Sequence, residues 1–410
     1  MESRRLTFKR SSTLVDQPAI SERPEAKPFY IRWGRTLVTS GFQTWVDIST
    51  DVTRALNWKP RVDPYIGYGT ERYSRLICRT VRASDSQTPK APIVRGIRAA
   101  LMVPASHVPV NISIDGTPLQ TVQIGSSSAA DSPDPTRNQV ASRAISDERG
   151  YLDLITEGKL SPGIHDVTYT VQGRRSIHAP LYTVGDNEKV AVISDLDDTV
   201  LVTNVPDPVA ALRNMLFTDP KKREAVHGMS SFYRQLQDVL GGAPFFYLST
   251  SPWNIEPMLR QFISVHGLPQ GPLLLRDFDP RPKTFIPSGV EHKLEFCEQL
   301  MDDFPEIKFI LIGDNGQHDP QTYAKIANDH PGRVLAIGIR QLQPIESMKF
   351  HMSLHAMPDV KVPVFYGHSG DNLRRTMIPY IQELRDHQKL RELHKQTLKQ
   401  KKGSIHHHDE

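Results

Sequence analysis

Asp195, Asp197 and Asp198 fall within four positions at the end of the apolar, β-branched run Val190–Ile193, and Thr199 follows. Carboxylates at that density repel one another and lose hydration when buried. A fold tolerates them most easily where a divalent cation or a cationic substrate group offsets the charge. Ser249, Thr250 and Ser251 end a second apolar run, and Lys293 opens a helical pattern. Gly313 and Asp314 end a further run, with Asp319 five residues on.

Each of these residue types has a task in phosphoryl transfer. A carboxylate can attack phosphorus and split one difficult displacement into two easier ones. Asp195, first after its strand, is placed for that attack, and Asp197 to protonate the leaving alkoxide and then activate water. Mg²⁺ takes oxygen ligands and is held by one or two carboxylates plus substrate phosphate. Asp195 and Asp314 are the candidate carboxylates, with the Asp197 backbone carbonyl as a neutral third ligand. Ser249 and its neighbour Thr250 can bind phosphate oxygens, and Ser251-Pro252 reads as the start of a helix whose free N–H groups face the same anion. Lys293 supplies a cation against the accumulated negative charge. Thr199 supports the first loop. Asp319 either supports the site or caps the helix that begins with Pro320.

Other chemistries fail on spacing. An EF-hand starting at Asp195 needs Gly at its sixth position and Glu at its twelfth, where this chain has Val200 and Pro206. Ser249 and Ser251 lie in no GxSxG, and the 16 histidines form no HExxH. Lys283 lies in a Pro-flanked loop with no helix to position it. His318 reads as a hydrogen-bonding loop residue, and Asp198 as a structural neighbour.

The elements that must position these groups alternate. Val190–Ser194, Pro244–Leu248, Leu273–Leu275, Phe309–Ile312 and Val334–Ile337 are strand-length apolar runs. Helical patterns lie at Lys221–Leu240, Trp253–His266, His292–Asp303 and Pro320–Asp329. This predicts an α/β fold with a doubly wound parallel sheet, whose ligands bind beyond the carboxyl ends of the strands. Before it, from Arg61 to Asn187, short alternating runs broken by Gly, Pro, Asp and Ser predict an antiparallel β-sandwich-like domain. Ala144–Leu154 reads as a hairpin there, and Gly125–Arg137 as a polar loop insertion. Leu37–Trp58 reads as a helix or an irregular wrap. The expected organisation is a disordered tail at 1–28, a mostly β domain at 29–187 and a catalytic domain at 188–365. A basic helix and tail follow at 366–410. Within them, Asn372–Lys402 carries nine Lys or Arg against three acidic residues, which suits a solvated helix or one that touches an anionic membrane.

At 410 residues with 38% hydrophobic content, the chain has the composition of a two-domain globular protein. A formal charge of +4 is too weak to argue for nucleic acid. Cys78 and Cys297 exclude a disulfide framework. No apolar run approaches the roughly 20 residues of a spanning helix, and the N-terminal segment lacks an apolar signal core. The expectation is a cytoplasmic protein with at most peripheral membrane contact.

DLDDT (Asp195–Thr199), Ser249, Lys293 and GDNGQHD (Gly313–Asp319) together resemble the four motifs of the haloacid dehalogenase superfamily. ISDLDDT, YLSTSPWN (Tyr247–Asn254) and the stretch Phe304–Ile326 look like the actin-patch-associated phosphatidate phosphatases and their bacterial relatives. PYIGYGT (Pro64–Thr70) is similar to a lead-in segment of the bacterial members. The resemblance implies a haloacid dehalogenase-like catalytic domain. It also implies a Mg²⁺-dependent hydrolase of phosphatidic acid that releases diacylglycerol and phosphate through an aspartyl-phosphate. Asp195 would be the nucleophile and Asp197 the acid/base. The fungal members' long Pro-rich tails have no counterpart here, so their partnerships are not transferred. Little sequence between the motifs is left for a cap, which suits a bulky substrate. A phosphoprotein, a nucleic-acid end or a soluble metabolite remains an alternative phosphomonoester. A membrane-binding module with a vestigial site is the alternative from another class.

Overall fold

The computed structural model describes residues 58–83, 103–124, 142–146, 150–202, 223–276, 289–316, 318–342 and 354–405. The expected tail at 1–28, the segment 37–57, the loop insertion 125–137 and Lys283 lie outside them.

The first half is built of β1 (Lys59–Pro64), β2 (Gly67–Thr70), β3 (Tyr73–Ala83), β4 (Val103–Pro104) and β5 (Val108–Ile114). β6 (Thr117–Ile124), β7 (Ser142–Ser146), β8 (Tyr151–Glu157), β9 (Gly163–Val171) and β10 (Ile177–Val184) complete it. Alternation such as VPVNISI in β5, buried at every second residue, turns one face inward. The inner faces share a core of Leu76, Cys78, Val110, Ile112, Leu152, Tyr169 and Leu181. β7 and β8 form the expected hairpin, with Ser146 opposite Leu152. The sandwich expectation needs correction: all ten strands join one hydrogen-bonded sheet, in the order β6-β5-β9-β10-β2-β3-β8-β7, with β1 and β4 on β3. It is mixed, because β2 runs parallel to β10. Alternation reports which face is buried, not which strand is the neighbour. β1 also lies against β9 and β10, so the sheet curls around its core.

One ion pair, between a largely buried histidine and an exposed aspartate, gives this sheet a pH dependence. Asp115 and Gly116, at φ 49° and 78°, make the left-handed turn of the β5–β6 hairpin. Nδ1 of His165, on β9, lies 2.6 Å from Asp115 Oδ2, and Nε2 lies 2.8 Å from the Ser161 carbonyl. Burial opposes the imidazolium, but these two oxygens outweigh it and raise the His165 pKa. A raised folded-state value stabilises fully below the unfolded value of about 6.5 and is lost as pH rises through the folded value. The melting-temperature gap between the parent and His165→Gln is therefore expected to be largest near pH 5.5 and to shrink above pH 8. A gap independent of pH would contradict this.

The second half contains β11 (Val190–Asp195), β12 (Phe245–Pro252), β13 (Leu273–Arg276), β14 (Lys308–Asp314), β15 (Val334–Arg340) and β16 (Val364–Gly367). Its helices are α1 (Met229–Val239), α2 (Glu256–Val265), α3 (Gly289–Asp303), α4 (Asp319–Asp329) and α5 (Gly370–Ile405). All six strands are parallel, in the order β13-β12-β11-β14-β15-β16. α1, α2 and α5 share one core with Val192, Phe245, Tyr247 and Ile310. α3 and α4 share the other with Ile193, Phe246, Leu248 and Leu311. Adjacent strand residues enter opposite cores, as the period of two requires, and both faces of the sheet are covered. The order reverses beside β11, the place where an open parallel sheet leaves a crevice at its carboxyl edge.

Two sequence readings shift here. β12 continues through Ser251 and Pro252, a 3₁₀ turn covers Trp253–Ile255, and α2 begins only at Glu256. Pro252 favours an extended Ser251 before it, whereas Pro257 sits comfortably in the first turn of α2. No helix N-terminus stands at Ser251. β16 was not marked in the sequence, because four residues are too short a run to show a period.

The two halves share their cores. Tyr65 stacks on Trp253 with ring centroids 4.8 Å apart. Tyr68 packs on Phe246 and Phe304 at 5.9 and 6.2 Å. Its hydroxyl donates to Asp303 Oδ2 at 3.0 Å and accepts from Gln299 Nε2 at 2.5 Å. Arg260 on α2 donates to the Pro64 carbonyl at 3.4 Å. PYIGYGT is thus the packing seam between the sheets. Both cysteines are buried and free, and no helix among the described residues is long and apolar enough to cross a membrane.

Candidate active site

β11 ends on Asp195, which is fully buried at the carboxyl edge of the parallel sheet. Its Oδ1 pairs with Lys293 Nζ at 2.7 Å, and its Oδ2 accepts from Thr199 Oγ1 at 2.9 Å. Behind it, Ser194 Oγ donates to the Asp195 carbonyl at 2.7 Å and lies 2.7 Å from the Tyr233 hydroxyl. Lys293 lies in the second turn of α3, four residues beyond the helix start, and also pairs with Asp319. Asp314 ends the neighbouring strand β14, and Thr199 Oγ1 lies 3.4 Å from its Oδ2. Its Oδ1 accepts from the Gly316 N–H at 2.6 Å.

The open question over Asp319 has an answer. It is the first residue of α4, and the residue in the capping position, His318, makes no side-chain cap. The Asp319 carboxylate turns inward instead, taking the Lys293 ammonium on one oxygen and the Asp314 N–H on the other at 3.2 Å. An acidic group in a first helical turn also suits the helix dipole.

Asp197 faces another way. Its Oδ2 accepts from Ser249 Oγ at 2.6 Å, and Ser249 Oγ accepts from the Ser251 N–H at 3.0 Å. The serine read as a phosphate donor thus orients Asp197. Thr250 follows it within β12, half-buried.

Electrostatics separates these carboxylates. Burial and the neighbouring Asp319 push the Asp314 pKa up to about 8. Burial also raises Asp195, against the pull of Lys293 and reinforced by Asp319 and Asp314. Asp197 is raised by burial, against the Ser249 hydrogen bond. Lys293 is held above the ordinary lysine value, because Asp195 and Asp319 outweigh its desolvation.

Asp195, Asp314 and Asp319 each bring an oxygen within 4.8 Å of the others. Three buried carboxylates around one lysine leave an excess of negative charge, and an all-oxygen donor set of this kind suits a hard divalent cation. The residues present therefore fit such an ion. Asp319, which the sequence offered only as support, belongs to the cluster.

Arg340 and His355 escaped the sequence reading. Arg340, the last residue of β15, is buried and donates from Nη1 to the Asp198 carbonyl at 2.7 Å. A charged residue closing an apolar run was the available signal. His318 and His355 bring their rings to 4.4 Å beside the GDNGQHD loop, with the His355 N–H donating to the Asn315 carbonyl. Gly313, named in the sequence only as the end of a run, leaves room for Asp319: a Cβ there would stand 2.3 Å from Asp319 Oδ2 and 2.8 Å from its Cβ. Gly313→Ala is therefore expected to displace Asp319, lowering divalent-metal affinity and kcat together by about 10- to 100-fold, with the far-ultraviolet spectrum unchanged. Unaltered metal titration would refute this.

The fold and this centre place the chain among α/β proteins with an acidic, lysine-neutralised centre at a parallel sheet's carboxyl edge. Residues 190–341 match the family model described as "Phosphatidate phosphatase APP1, catalytic domain". Phosphatidate phosphatase APP1 of Saccharomyces cerevisiae is 33% identical over 152 residues, covering 37% of this chain and 26% of the yeast protein. An uncharacterized Schizosaccharomyces pombe protein is 29% identical over 158 residues, 38% of this chain and 26% of that one. The matched region thus spans about a quarter of either relative. A solved structure of an uncharacterized Listeria monocytogenes protein has 12% identity and a TM-score of 0.30, covering 47% of this chain and 99% of that one. A score at that level carries no argument.

Proposed function

We propose that this chain is a phosphoric monoester hydrolase, specifically a Mg²⁺-dependent phosphatidate phosphatase releasing diacylglycerol and phosphate. The observation that carries the reading is Asp195. It is buried between Lys293 and Thr199, beside Asp314 and Asp319, inside the segment that matches the phosphatidate phosphatase catalytic model. The helices on both faces of the parallel sheet support a doubly wound, haloacid dehalogenase-like catalytic domain at 188–365. The mostly β domain at 29–187 and the basic helical region at 366–410 flank it.

Asp195 attacks phosphorus through a carboxylate oxygen, and the bond to the leaving oxygen breaks as Asp197 gives that oxygen its proton. Water then attacks the aspartyl-phosphate, Asp197 takes the water's proton, and phosphate leaves with Asp195 restored. Lys293 holds Asp195 and balances its charge, while Ser249 aims Asp197. Thr250 and the loop around it meet the phosphate oxygens. Asp195, Asp314 and Asp319 would hold Mg²⁺, together with the Asp197 carbonyl. When bound, the ion supplies neutralisation of the phosphoryl oxygens. Phosphatidic acid sits in a bilayer, so the reading includes peripheral contact with an anionic surface from the cytoplasm.

The test is phosphate release from phosphatidate vesicles, glycerol phosphate, nucleotides and phosphopeptides, with Mg²⁺ and with chelator. Vesicle phosphatidate is expected to exceed the soluble esters, and chelation to abolish turnover. Preference for a soluble ester would move the substrate to another phosphomonoester. Absence of turnover on every ester would leave a binding module.

A further inference from the structure

Building on that reading, we propose that Arg340 is a positioning residue for the proton-transferring carboxylate Asp197. It is the one charged residue of an otherwise apolar strand, and the charge sits 5% exposed at the end of β15. The strand register sets Arg340 opposite Asp314. Its backbone carbonyl accepts from the Asn315 N–H at 3.0 Å, and two residues on the Leu342 N–H donates to Asn315 Oδ1 at 2.8 Å. The backbone around Arg340 therefore holds the loop that follows Asp314. Its side chain crosses to the other loop, where Nη1 donates to the Asp198 carbonyl at 2.7 Å.

That carbonyl belongs to the residue on which the first loop turns. Asp198 has φ 58°, in the left-handed region that residues other than glycine seldom hold. The reversal there sends Thr199 Oγ1 back to Asp195 and leaves Asp197 directed at Ser249. The Asp198 N–H donates to the Leu201 carbonyl at 2.8 Å, which closes the turn on its other side. A charged donor on the Asp198 carbonyl is stronger and more directional than a neutral one. Arg340 thereby fixes the Asp198–Thr199 peptide and the left-handed turn at Asp198, and with that turn the direction in which the Asp197 proton is delivered. Asp195 depends less on this contact, because Lys293 holds its Oδ1 from α3 at 2.7 Å.

The two roles separate by leaving group. A nitrophenolate departs without a proton, whereas an alkoxide needs one. In the full chain with Mg²⁺, kcat/KM of Arg340→Gln and Arg340→Lys is measured on 4-nitrophenyl phosphate and on a lysophosphatidate. The ratio between the two substrates is independent of the fraction of protein that folds. General-acid catalysis is worth about 10²–10⁴-fold. Arg340→Gln is therefore expected to lose at least about 10²-fold on the alkyl ester and under about 10-fold on the aryl ester. Arg340→Lys should regain part of the loss, and adding Asp197→Asn to Arg340→Gln should cost little more. Equal losses on the two esters would overturn the proposal while leaving the phosphatase reading intact. No turnover by the unmodified chain on either ester would overturn that reading and the proposal with it.

Discussion

Asp195→Asn is expected to abolish turnover while leaving the metal-free chain at least as heat-stable as the parent. The loss should exceed about 10⁴-fold, toward the roughly 10⁶-fold seen when a covalent nucleophile is removed from another hydrolase. The stability half of this prediction is less usual and follows from charge. Burial together with Asp319 and Asp314 works against ionisation of Asp195, and only Lys293 works strongly for it. An amide is isosteric, can still meet Thr199, and removes one of three crowded carboxylates. Lys293 keeps Asp319 as its partner. Added Mg²⁺ should reverse the order, stabilising the parent more than the variant, because a ligand raises stability only as far as it binds the folded state. Phosphate release and melting curves with and without Mg²⁺ check both halves. Residual turnover above about one part in 10³ would remove Asp195 as nucleophile.

Separating the catalytic region from the curled sheet should be as damaging as losing the nucleophile, for a reason unrelated to chemistry. A chain beginning at residue 188 lacks Tyr65, Tyr68 and Ile66, which lie in the same two cores as the parallel sheet. Trp253 loses Tyr65, Phe246 and Phe304 lose Tyr68, and Asp303 and Gln299 lose the Tyr68 hydroxyl. Truncating one buried aromatic costs about 3–5 kcal/mol, a large share of the 5–15 kcal/mol that holds a domain folded. The fragment is expected to show helical far-ultraviolet dichroism, little near-ultraviolet signal and no cooperative melt. In the intact chain, Tyr68→Phe should cost about 1–3 kcal/mol by leaving buried polar partners unmet. A cooperative transition in the isolated fragment would show that the two halves fold separately.

Much of the catalytic half was legible because parallel strands buried on both faces read as unbroken apolar runs. Val190–Ile193, Phe309–Ile312 and Val334–Ile337 all lie within observed strands, and the acidic residues that close the first two are the ones gathered at the sheet edge. The curled sheet was harder. Its alternation marked β3, β5, β6 and β9, but the parallel pairing of β2 with β10 joins residues more than a hundred positions apart. No local pattern encodes a neighbour that distant.

Within the site, residue type and order along the chain were enough to nominate Asp195, Asp197, Thr199, Ser249, Lys293, Asp314 and Asp319. Chemistry at a strand end needs carboxylates, hydroxyls and a cation, whatever the details of packing. The sequence by itself thus determined the acidic strand ends and the parallel sheet that presents them. Only the tertiary structure decided that Ser249 serves Asp197, that Asp319 turns inward instead of capping its helix, and that Arg340 reaches the Asp198 carbonyl. Each of those contacts joins segments brought together by the order of strands in the sheet. Hydrogen bonds act over about 3 Å, so which polar groups meet is settled only when the strands carrying them are packed side by side.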